Sequence, residues 1–568
     1  MNLKEQIRHS IPAAIVVVIG AWVMIYYSIV QWETMKPVPS WDLAIFSELA
    51  KAYAHFQTPI VPVKGDGYNL LGDHFHPILI LLGPIWRLFP TPLSLLITQD
   101  LLLAFSAWPL TRLASRLTNQ WVAGGLGLVY VLSWGMQGAV AAQFHEIAFA
   151  MPLLAYASVA FVERRWGAVT AWSVPLVLVK EDMGLTVLMI GVAVILTSAV
   201  PAWYRTCTVI RPGGRGADGL DTAGDAAGNA AGSAPQDDAA RNRRRGLRLG
   251  VGMVVGGIAA FLFAIQVFLP AFNINGVWDY GLSSQDQPTS PDALTQKATV
   301  VVMLILTSGV IGVTSPWLLV VLPTLAWRFL GSVEFYWVWD NWHYNATLMP
   351  IALGALLDVV ARRRMHGSYA ADRPVREVGV DGRAVMDSSA EAAEGEGAGA
   401  DESDVDSPRR HPAAFPTWLT VPLRHRFVVA TSILIVVATG VLTSPYLPLW
   451  KATDQKFDPL SAEAKETDEA KRPETHRVAV AREVIATIPE GATVVTDLSL
   501  LAYLVPRAEV SWVGTSGPDK EYIVMSRNSS SQWGTTNAAT WGEQHSKQGA
   551  DYSLIFNKDG YQIAKRNG

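Results

Sequence analysis

Cysteine is almost absent from this chain, and charged side chains are scarce. The 568 residues include one cysteine, Cys207, and only 17% of them are charged. A single cysteine excludes an intramolecular disulfide and a cysteine-based metal cluster, so a metal ion would need His, Asp or Glu ligands. The formal net charge of -4 gives no reason to expect a nucleic-acid partner. Both features point away from disulfide-stabilised and nucleic-acid-binding proteins.

Long apolar runs are abundant instead. Hydrophobic residues make up 50% of the chain and the mean hydropathy is +0.24, which is typical of an α-helical polytopic membrane protein. Eleven apolar runs predict transmembrane helices, although several are shorter than the ~20 residues of a perpendicular span. These runs are 11–30, 93–113, 121–138, 147–162, 168–179, 183–200, 249–270, 298–313, 316–330, 346–360 and 427–443. A further run, 78–89, is too short to cross and predicts a re-entrant or interfacial segment.

The loops between the runs hold their lysines and arginines unevenly. Basic residues concentrate in alternate loops, together with Lys4 and Arg8 before the first run, and Arg328 is the main exception. By the positive-inside rule these loops are cytoplasmic. No small-residue cleavage site follows the first run, so it predicts an uncleaved helix. The N-terminus is therefore predicted in the cytoplasm, and an odd number of spans places the C-terminal segment outside.

Composition divides the chain into two parts. Residues 1–444 hold the apolar runs and predict a transmembrane domain with a first outer loop at 31–77. Within it, 206–247 and 362–425 are rich in Gly, Ala and acidic residues and predict disordered cytoplasmic inserts. Residues 445–568 alternate helix-like and β-branched segments, which predicts an extracytoplasmic α/β domain. That part contains no GxGxxG or P-loop motif, so we interpret it as an accessory module.

Five clusters of acidic, imidazole and aromatic residues interrupt the apolar pattern. They are 41–48, 72–77, 143–149, 180–182 and 334–345. The charge-based topology puts all five on the outer side of the membrane. Polar groups at hydrocarbon depth cost about 2.5 to 3.5 kcal/mol each on insertion scales. Their convergence on one side therefore suggests a functional site.

Asp42 is the acidic residue of the first cluster. The residues around it have the spacing of an amphipathic helix in the first outer loop. One interpretation makes Asp42 the N-terminal cap of that helix and nothing more. The other makes it a general base that takes a proton from an acceptor hydroxyl, or an oxygen ligand of a divalent ion.

Histidines and carboxylates in the next two clusters have side chains that can bind a metal ion. Asp73, His74 and His76 fall within four residues, and His145 and Glu146 precede an apolar run. This HxH spacing is moderately specific for a divalent metal ion. The alternative is interfacial histidines bonded to backbone carbonyls.

The last two clusters suggest substrate binding. Lys180, Glu181 and Asp182 stand between two apolar runs with no polar loop around them. They fit either a self-satisfied salt bridge or a phosphate site in which the acids orient the lysine. In the segment 334–345 the aromatic residues fit a membrane-interface belt, or rings that stack on a sugar or pack on a polyprenyl chain. The residues of that segment assigned to substrate are Trp339, Asp340 and His343.

Four segments give the chain a family resemblance. DLAIF, LGDHFHPILILLGPIWRLFP, FHEIAFAMPLLAYA and VKEDMGL occur in this order within roughly the first 360 residues. They resemble the signature segments of the bacterial predicted membrane protein family called domain of unknown function 2079. The resemblance implies a multi-pass protein of the bacterial plasma membrane. The C-terminal part is similar to the family only loosely.

That family is in turn similar in layout to the C-type glycosyltransferases. These are integral membrane enzymes that use polyprenyl-phosphate sugars and carry an essential acidic residue in the first outer loop. By this second resemblance, which lies at the level of fold, Asp42 takes the catalytic position. The commonest pattern has two adjacent acidic residues, whereas Asp42 is flanked by Trp41 and Leu43, which leaves the metal requirement open.

The predicted activity is inverting glycosyl transfer at the outer face, from a polyprenyl-phosphate sugar to an envelope glycan or lipid. Asp42 would activate the acceptor hydroxyl, and Lys180 with Arg328 would stabilise the departing phosphate. The metal-binding group named above would hold a divalent ion or hydrogen-bond the sugar. Two other classes fit the same residues: a lipid or solute transporter with a polar relay across the bundle, and an envelope-assembly scaffold.

Overall fold

The apolar runs of the sequence form helices. The computed structural model describes residues 3–35, 40–199, 234–280, 292–331, 333–371, 425–450, 474–526 and 536–567. The helices α1 to α15 are, in chain order, Leu3–Thr34, Trp41–Ala54, Leu82–Leu88, Pro92–Leu117, Gln120–Val131, Trp134–Ala141, Ala150–Val162, Trp166–Ser173, Met183–Ala199, Ala234–Phe263, Leu269–Phe272, Ala293–Thr307, Leu322–Leu330, Leu348–Ala371 and His425–Thr443. Short 3-10 segments precede several of them, including Pro77–Leu81 before α3, Glu146–Phe149 before α7 and Pro316–Val321 before α13.

In the part of the chain that the structure describes, apolar helical segments fall into two length classes, and five are long and apolar enough to cross a membrane. They are Leu3–Thr34, Pro92–Leu117, Asp238–Phe272, His343–Arg363 and Arg426–Tyr446. Six apolar helical segments are shorter, at Pro77–Leu88, Glu146–Val162, Trp166–Leu178, Met183–Ala199, Ala293–Thr307 and Pro316–Leu330. The predicted class, a helical polytopic membrane protein, is consistent with these segments. The count of eleven crossings stays a prediction.

Three sequence predictions differ from the observed helix boundaries. The predicted span 121–138 consists of α5 and α6, which are separated at Ser133. The insert predicted as disordered at 206–247 is helical from Ala234, and the helix that contains the run 346–360 continues through the start of the 362–425 insert to Ala371. Both extensions are rich in Ala and Arg, which propagate a helix that an adjoining apolar run has already nucleated. Residues 206–233 and 372–424 lie outside the described residues.

The helical bundle has two distinct ends. His9 near the start of α1 lies 2.9 Å from Ser115 near the end of α4, so these two helices are antiparallel. The end of α1 lies beside the C-terminal part of the chain, where the Tyr503 hydroxyl donates to the Trp32 carbonyl at 2.9 Å. We call this the α2 end, and the other the opposite end. The sequence predicts that the α2 end faces outward.

A buried ionic network lies at the opposite end. The Asp358 carboxylate is 2.7 Å from Arg164 and 3.1 Å from Arg362, and it accepts a hydrogen bond from Ser315 at 2.7 Å. The Asp358 side chain is 1% exposed. Basic residues here therefore do more than set orientation, because they also neutralise a carboxylate inside the bundle.

Glycines allow α9 and α10 to pack closely. A Cβ atom at Gly184 would lie 2.7 Å from the Gly257 carbonyl, and one at Gly191 would lie 2.6 Å from the Gly250 carbonyl. Small residues at helix contacts are the usual means of close packing in membranes, where burial of apolar surface contributes little. This close contact fixes the position of α9, which begins three residues after Lys180.

The described residues of the C-terminal part, 474–526 and 536–567, form a five-stranded mixed sheet with three helices. The strands β1 to β5 are Thr493–Thr496, Glu509–Trp512, Tyr522–Ser526, Tyr552–Lys558 and Tyr561–Arg566, and the helices α16 to α18 are Glu474–Thr487, Leu501–Leu504 and Ala538–His545. The strand order is β2-β1-β3-β5-β4, with β1 parallel to β2 and β3, and β5 antiparallel to β3 and β4. Asp559 and Gly560 have positive φ and close the last hairpin, as expected for an Asp-Gly turn.

This sheet packs directly on α2. The Lys51 ammonium donates to the carbonyls of Val505 and Ala508 at 2.7 and 2.9 Å, where a cation suits the carbonyl-rich end of a helix. Trp512 at the end of β2 contacts Trp41, with ring centroids 5.6 Å apart. The C-terminal part therefore covers the helix that carries Asp42.

Candidate functional site

Asp42 is in the first turn of α2 but does not cap it. The cap is Ser40, whose hydroxyl accepts a hydrogen bond from the Leu43 amide at 3.0 Å. The Ser40 amide in turn donates to the Gln143 side-chain oxygen at 2.6 Å. The interpretation of Asp42 as a simple cap is therefore wrong, because the hydroxyl of Ser40, two residues earlier, already fills that role. The Asp42 carboxylate is left for other contacts.

The partner of Asp42 is His145. Its Nε2 lies 3.6 Å from the Asp42 carboxylate, and its Nδ1 lies 3.1 Å from the Gln143 carbonyl. A carbonyl only accepts, so Nδ1 carries a proton and Nε2 is the atom that faces Asp42. The Asp42 side chain is 40% exposed and that of His145 is 6% exposed. His145 also stacks on His343, with ring centroids 3.6 Å apart.

Two opposing influences act on the acidity of Asp42. Burial is the largest single influence and would raise the pKa of Asp42, but the close contact with His145 and the charge of Lys64 together outweigh it. The net pKa of Asp42 is lowered. The carboxylate is therefore ionised at neutral pH and able to accept a proton.

The residues from Lys180 to Asp182 have different partners. The Lys180 ammonium donates to Glu146 at 2.8 Å, and the Glu181 carboxylate accepts from His74 at 2.9 Å and from the Phe75 amide at 3.1 Å. Burial would lower the pKa of Lys180, but the nearby carboxylates outweigh it and raise the pKa of Lys180. Burial raises the pKa of Asp182 to about 6, against the opposing charge of Lys180.

Asp73 belongs to a separate ionic group. Both of its oxygens lie 2.7 Å from the Lys64 ammonium, and one of them also accepts from the hydroxyls of Tyr68 and Tyr280. Burial would raise the pKa of Asp73, but the charges of His74 and Lys64 and these hydrogen bonds lower it to about 2. Asp73 is thus held as a carboxylate by its own partners.

The predicted metal ligands do not form one coordination set. Within the described ranges, no three His, Cys, Asp or Glu side chains are arranged to hold a metal ion. Asp73 binds Lys64, His74 binds Glu181, and Glu146 binds Lys180. His76 packs against Phe46 instead, and burial lowers the pKa of His76 to about 4. The HxH segment therefore does not form a metal centre with these residues, because the carboxylates of Asp73 and Glu146 each already have a cationic partner.

Arg328 supports a loop and does not face the cavity. Its guanidinium is fully buried and donates to the Tyr336 and Tyr344 carbonyls and to the Asn345 side chain, at 2.6 to 3.1 Å. These contacts fix the segment 334–345. A phosphate role for Arg328 gains no support from this geometry, because the donors are occupied by acceptors of that loop.

A cavity of about 80 Å³ lies next to Lys180. Glu181, Asp182 and His343 also line it, whereas Trp339 and Asp340 of the same predicted cluster do not. The remaining lining residues are Ile147, Met183, Leu185, Phe261, Trp278, Pro323, Thr324, Trp327, Tyr344 and Thr347. The cavity is therefore mostly apolar and aromatic, with a few polar groups, which is the usual character of a small-molecule site.

His343 connects the cavity to Asp42. Its ring lines the cavity and stacks on His145, whose Nε2 faces the Asp42 carboxylate. The 72–77 cluster joins the same region through the contact between His74 and Glu181. Residues of all five predicted clusters thus contact one another at the α2 end.

Several residues of this region were not predicted from the sequence to belong to the site. Lys64 and Tyr280 hold Asp73, Trp278 lines the cavity, and Gln99 accepts from the His145 amide at 3.0 Å. Lys64 lies in the predicted first outer loop, where its charge was the one available signal. Tyr280 and Trp278 follow an apolar run by a few residues, and no local pattern distinguishes them from interface aromatics.

The ion pair of His74 and Glu181 predicts a pH-dependent stability. Burial would lower the pKa of His74, but the charge of Glu181 outweighs it, so the folded pKa of His74 is raised above 6.5. The pair therefore stabilises the fold fully below pH 6.5 and loses that effect as the pH rises through the folded pKa of His74. Substitution His74→Gln should lower the melting temperature more at pH 6 than at pH 9. Equal losses at both pH values would contradict the pairing.

The bundle, its span-length helices and the buried polar cluster at one end are consistent with a polytopic membrane protein. The chain belongs to the family described as "Predicted membrane protein (DUF2079)", whose family model matches residues 38–377. That range is more than half of the chain and includes all five clusters, whereas the C-terminal sheet lies outside it. The predicted family membership is thus confirmed. Among curated proteins, none matches this chain.

Proposed function

We propose that this protein is a membrane glycosyltransferase that moves a sugar from a polyprenyl-phosphate donor to an envelope acceptor at the outer face. The observation that carries the proposal is the path from Asp42 through His145 and His343 to a cavity that Lys180 lines. It connects an ionised carboxylate, 40% exposed, through two stacked imidazole rings to a cavity suited to a small ligand.

In this mechanism the acceptor hydroxyl attacks the anomeric carbon of the donor sugar. The bond from that carbon to the phosphate oxygen breaks, and the phosphate leaves with the electron pair on the opposite face, which inverts the configuration. Asp42 takes the hydroxyl proton as general base, a role worth about 100- to 10,000-fold in rate. His145 acts on Asp42 as a positioning residue, since its Nδ1 is fixed by the Gln143 carbonyl.

Lys180 is the group that would stabilise the leaving phosphate. Among the described residues that line the cavity, it is the one with a permanent positive charge. Its ammonium has three donors, and the contact with Glu146 uses one of them. A fixed cation in a site of low dielectric stabilises developing negative charge strongly. The phosphate role proposed for Arg328 from the sequence is withdrawn.

Transfer from defined donors tests the proposal. The full-length protein in lipid nanodiscs is incubated with radiolabelled polyprenyl-phosphate hexoses and pentoses and with membrane extract as the acceptor source, with and without chelator. We expect labelled product that forms at the same rate in both lanes. Product lost on chelation would contradict the metal-independent site. No product from any donor, with a folded protein, would overturn the transferase proposal.

One observation favours a transporter as the second candidate. A relay across the bundle requires ionisable residues inside spanning helices, and Asp100 of α4 is fully buried there. Neither of the two family resemblances seen in the sequence assigns a role to Asp100. Uptake of solute into proteoliposomes that depends on Asp100 but not on Asp42 would favour transport over transfer.

A further inference from the structure

Three polar atoms around the cavity next to Lys180 have no hydrogen-bond partner among the residues that the structure describes. They are Oδ1 of Asp182, Nε1 of Trp278 and Nδ1 of His343, and all three atoms are buried. The residues that carry them all line this one cavity. A buried polar atom left unsatisfied costs about 1 to 3 kcal/mol. Three at one cavity therefore indicate an occupant that supplies hydrogen bonds.

The three atoms restrict what that occupant can be. A carboxylate oxygen only accepts, an indole nitrogen only donates, and an imidazole nitrogen does either. The occupant must therefore both donate to Asp182 and accept from Trp278. A fully ionised phosphate only accepts, so it cannot satisfy Asp182. Hydroxyl groups do both.

The charge of the wall also favours an occupant with hydroxyl groups over inorganic phosphate alone. Lys180 is paired with Glu146, and the carboxylates of Glu181 and Asp182 line the same cavity. The wall thus has no excess of positive charge. The aromatic rings of Phe261, Trp327 and Tyr344 add apolar surface, against which the C–H faces of a sugar can pack while its hydroxyls point to the polar atoms.

We infer that this cavity binds the sugar ring of the donor, and that Asp182, Trp278 and His343 recognise its hydroxyl groups. The inference rests on the proposed transferase function and adds the residues that determine donor specificity. A site built to hydrogen-bond a hydroxyl rejects an analogue without it far more strongly than an apolar pocket rejects a missing methylene. The donor sugar is therefore expected to carry a free hydroxyl that reaches Asp182.

Binding of soluble sugar phosphates tests this inference without turnover. Saturation-transfer difference NMR is recorded on the full-length protein in nanodiscs with the 1-phosphates of glucose, galactose, mannose and arabinose, and with inorganic phosphate and glycerol as separate probes. The site variants are Asp182→Asn and Trp278→Phe, which preserve size while changing one hydrogen-bonding group. The matched controls are Asp66→Asn and Trp121→Phe, whose side chains are largely exposed and do not line the cavity.

We expect at least one sugar phosphate to bind, with affinity about tenfold or more weaker in each site variant and unchanged in both controls. Equal binding by the wild type, both site variants and both controls would overturn the cavity assignment and leave the transferase proposal intact. If inorganic phosphate binds and no sugar phosphate binds more tightly, the assignment of the cavity to the sugar ring is wrong, and the cavity binds the phosphate of the lipid donor instead. Binding of no probe would leave water as the occupant, and binding of glycerol as well as of the sugar phosphates would show that the cavity does not select a sugar. Either result would overturn the inference, while the transfer assay separately decides the function.

Discussion

The variant Asp42→Asn should transfer sugar about 100- to 10,000-fold more slowly than the wild type, because an amide cannot take the acceptor proton. Asparagine has nearly the same size, and Ser40 rather than Asp42 caps the helix. The variant should therefore fold normally and keep its melting temperature. The donor affinity should also be preserved, since the cavity is lined by other residues. The measurement is kcat and the donor KM in the nanodisc assay.

A matched control separates this chemistry from a general charge effect. Asp66 lies in the same predicted outer loop, its side chain is 68% exposed, and it pairs with Lys520. Asp66→Asn should leave kcat within about twofold of the wild type, since exposed ion pairs contribute about 1 kcal/mol or less. A rate loss shared equally by both variants, or no loss in Asp42→Asn, would refute the general-base assignment.

Asp358→Asn should lower the free energy of unfolding by about 3 to 5 kcal/mol. The substitution removes the carboxylate that lies 2.7 Å from Arg164 and 3.1 Å from Arg362, and it leaves the buried Arg164 guanidinium without its counter-charge. Because the network lies at the opposite end from Asp42, the loss should appear as a lower melting temperature, while kcat of the molecules that remain folded is retained.

Asp238→Asn is the stability control for this network. Asp238 and Arg241 form an ion pair whose side chains are 59% and 69% exposed. Removing such a pair should change the melting temperature by a degree or less, because its net contribution is about 0.3 to 0.5 kcal/mol. If Asp358→Asn melts like Asp238→Asn, the buried network contributes no more than a surface pair and its assignment is wrong.

Hydropathy predicted the helices well because burial in lipid requires long apolar stretches with internally satisfied backbones. The observed Leu3–Thr34 and Pro92–Leu117 enclose the predicted runs. Helix ends were harder to predict. The helix that begins at Ala234 extends into a polar segment that composition marked as disordered, because good helix formers continue an existing helix without apolar periodicity.

The site was predicted in part. The five clusters were visible as polar interruptions, but pairings such as His145 with His343 join residues about 200 positions apart, and no local pattern encodes them. The same limit explains the metal prediction. Asp73 and His74 are adjacent in sequence, but Asp73 pairs with Lys64 and His74 pairs with Glu181, so neither is available to a shared metal ion. Arg328 was misassigned because its acceptors are mostly main-chain carbonyls, which residue types do not reveal.

The proposed transfer depends most directly on the site lying at the outer face. Intact cells expressing Asp66→Cys in a Cys207→Ser background are treated with a membrane-impermeant maleimide, in parallel with cells expressing the native chain. The account predicts that the cysteine at position 66 is labelled in intact cells, whereas Cys207 is labelled only after permeabilisation. Labelling of Cys207 in intact cells, with position 66 protected until permeabilisation, would place Asp42 on the cytoplasmic side and contradict the account.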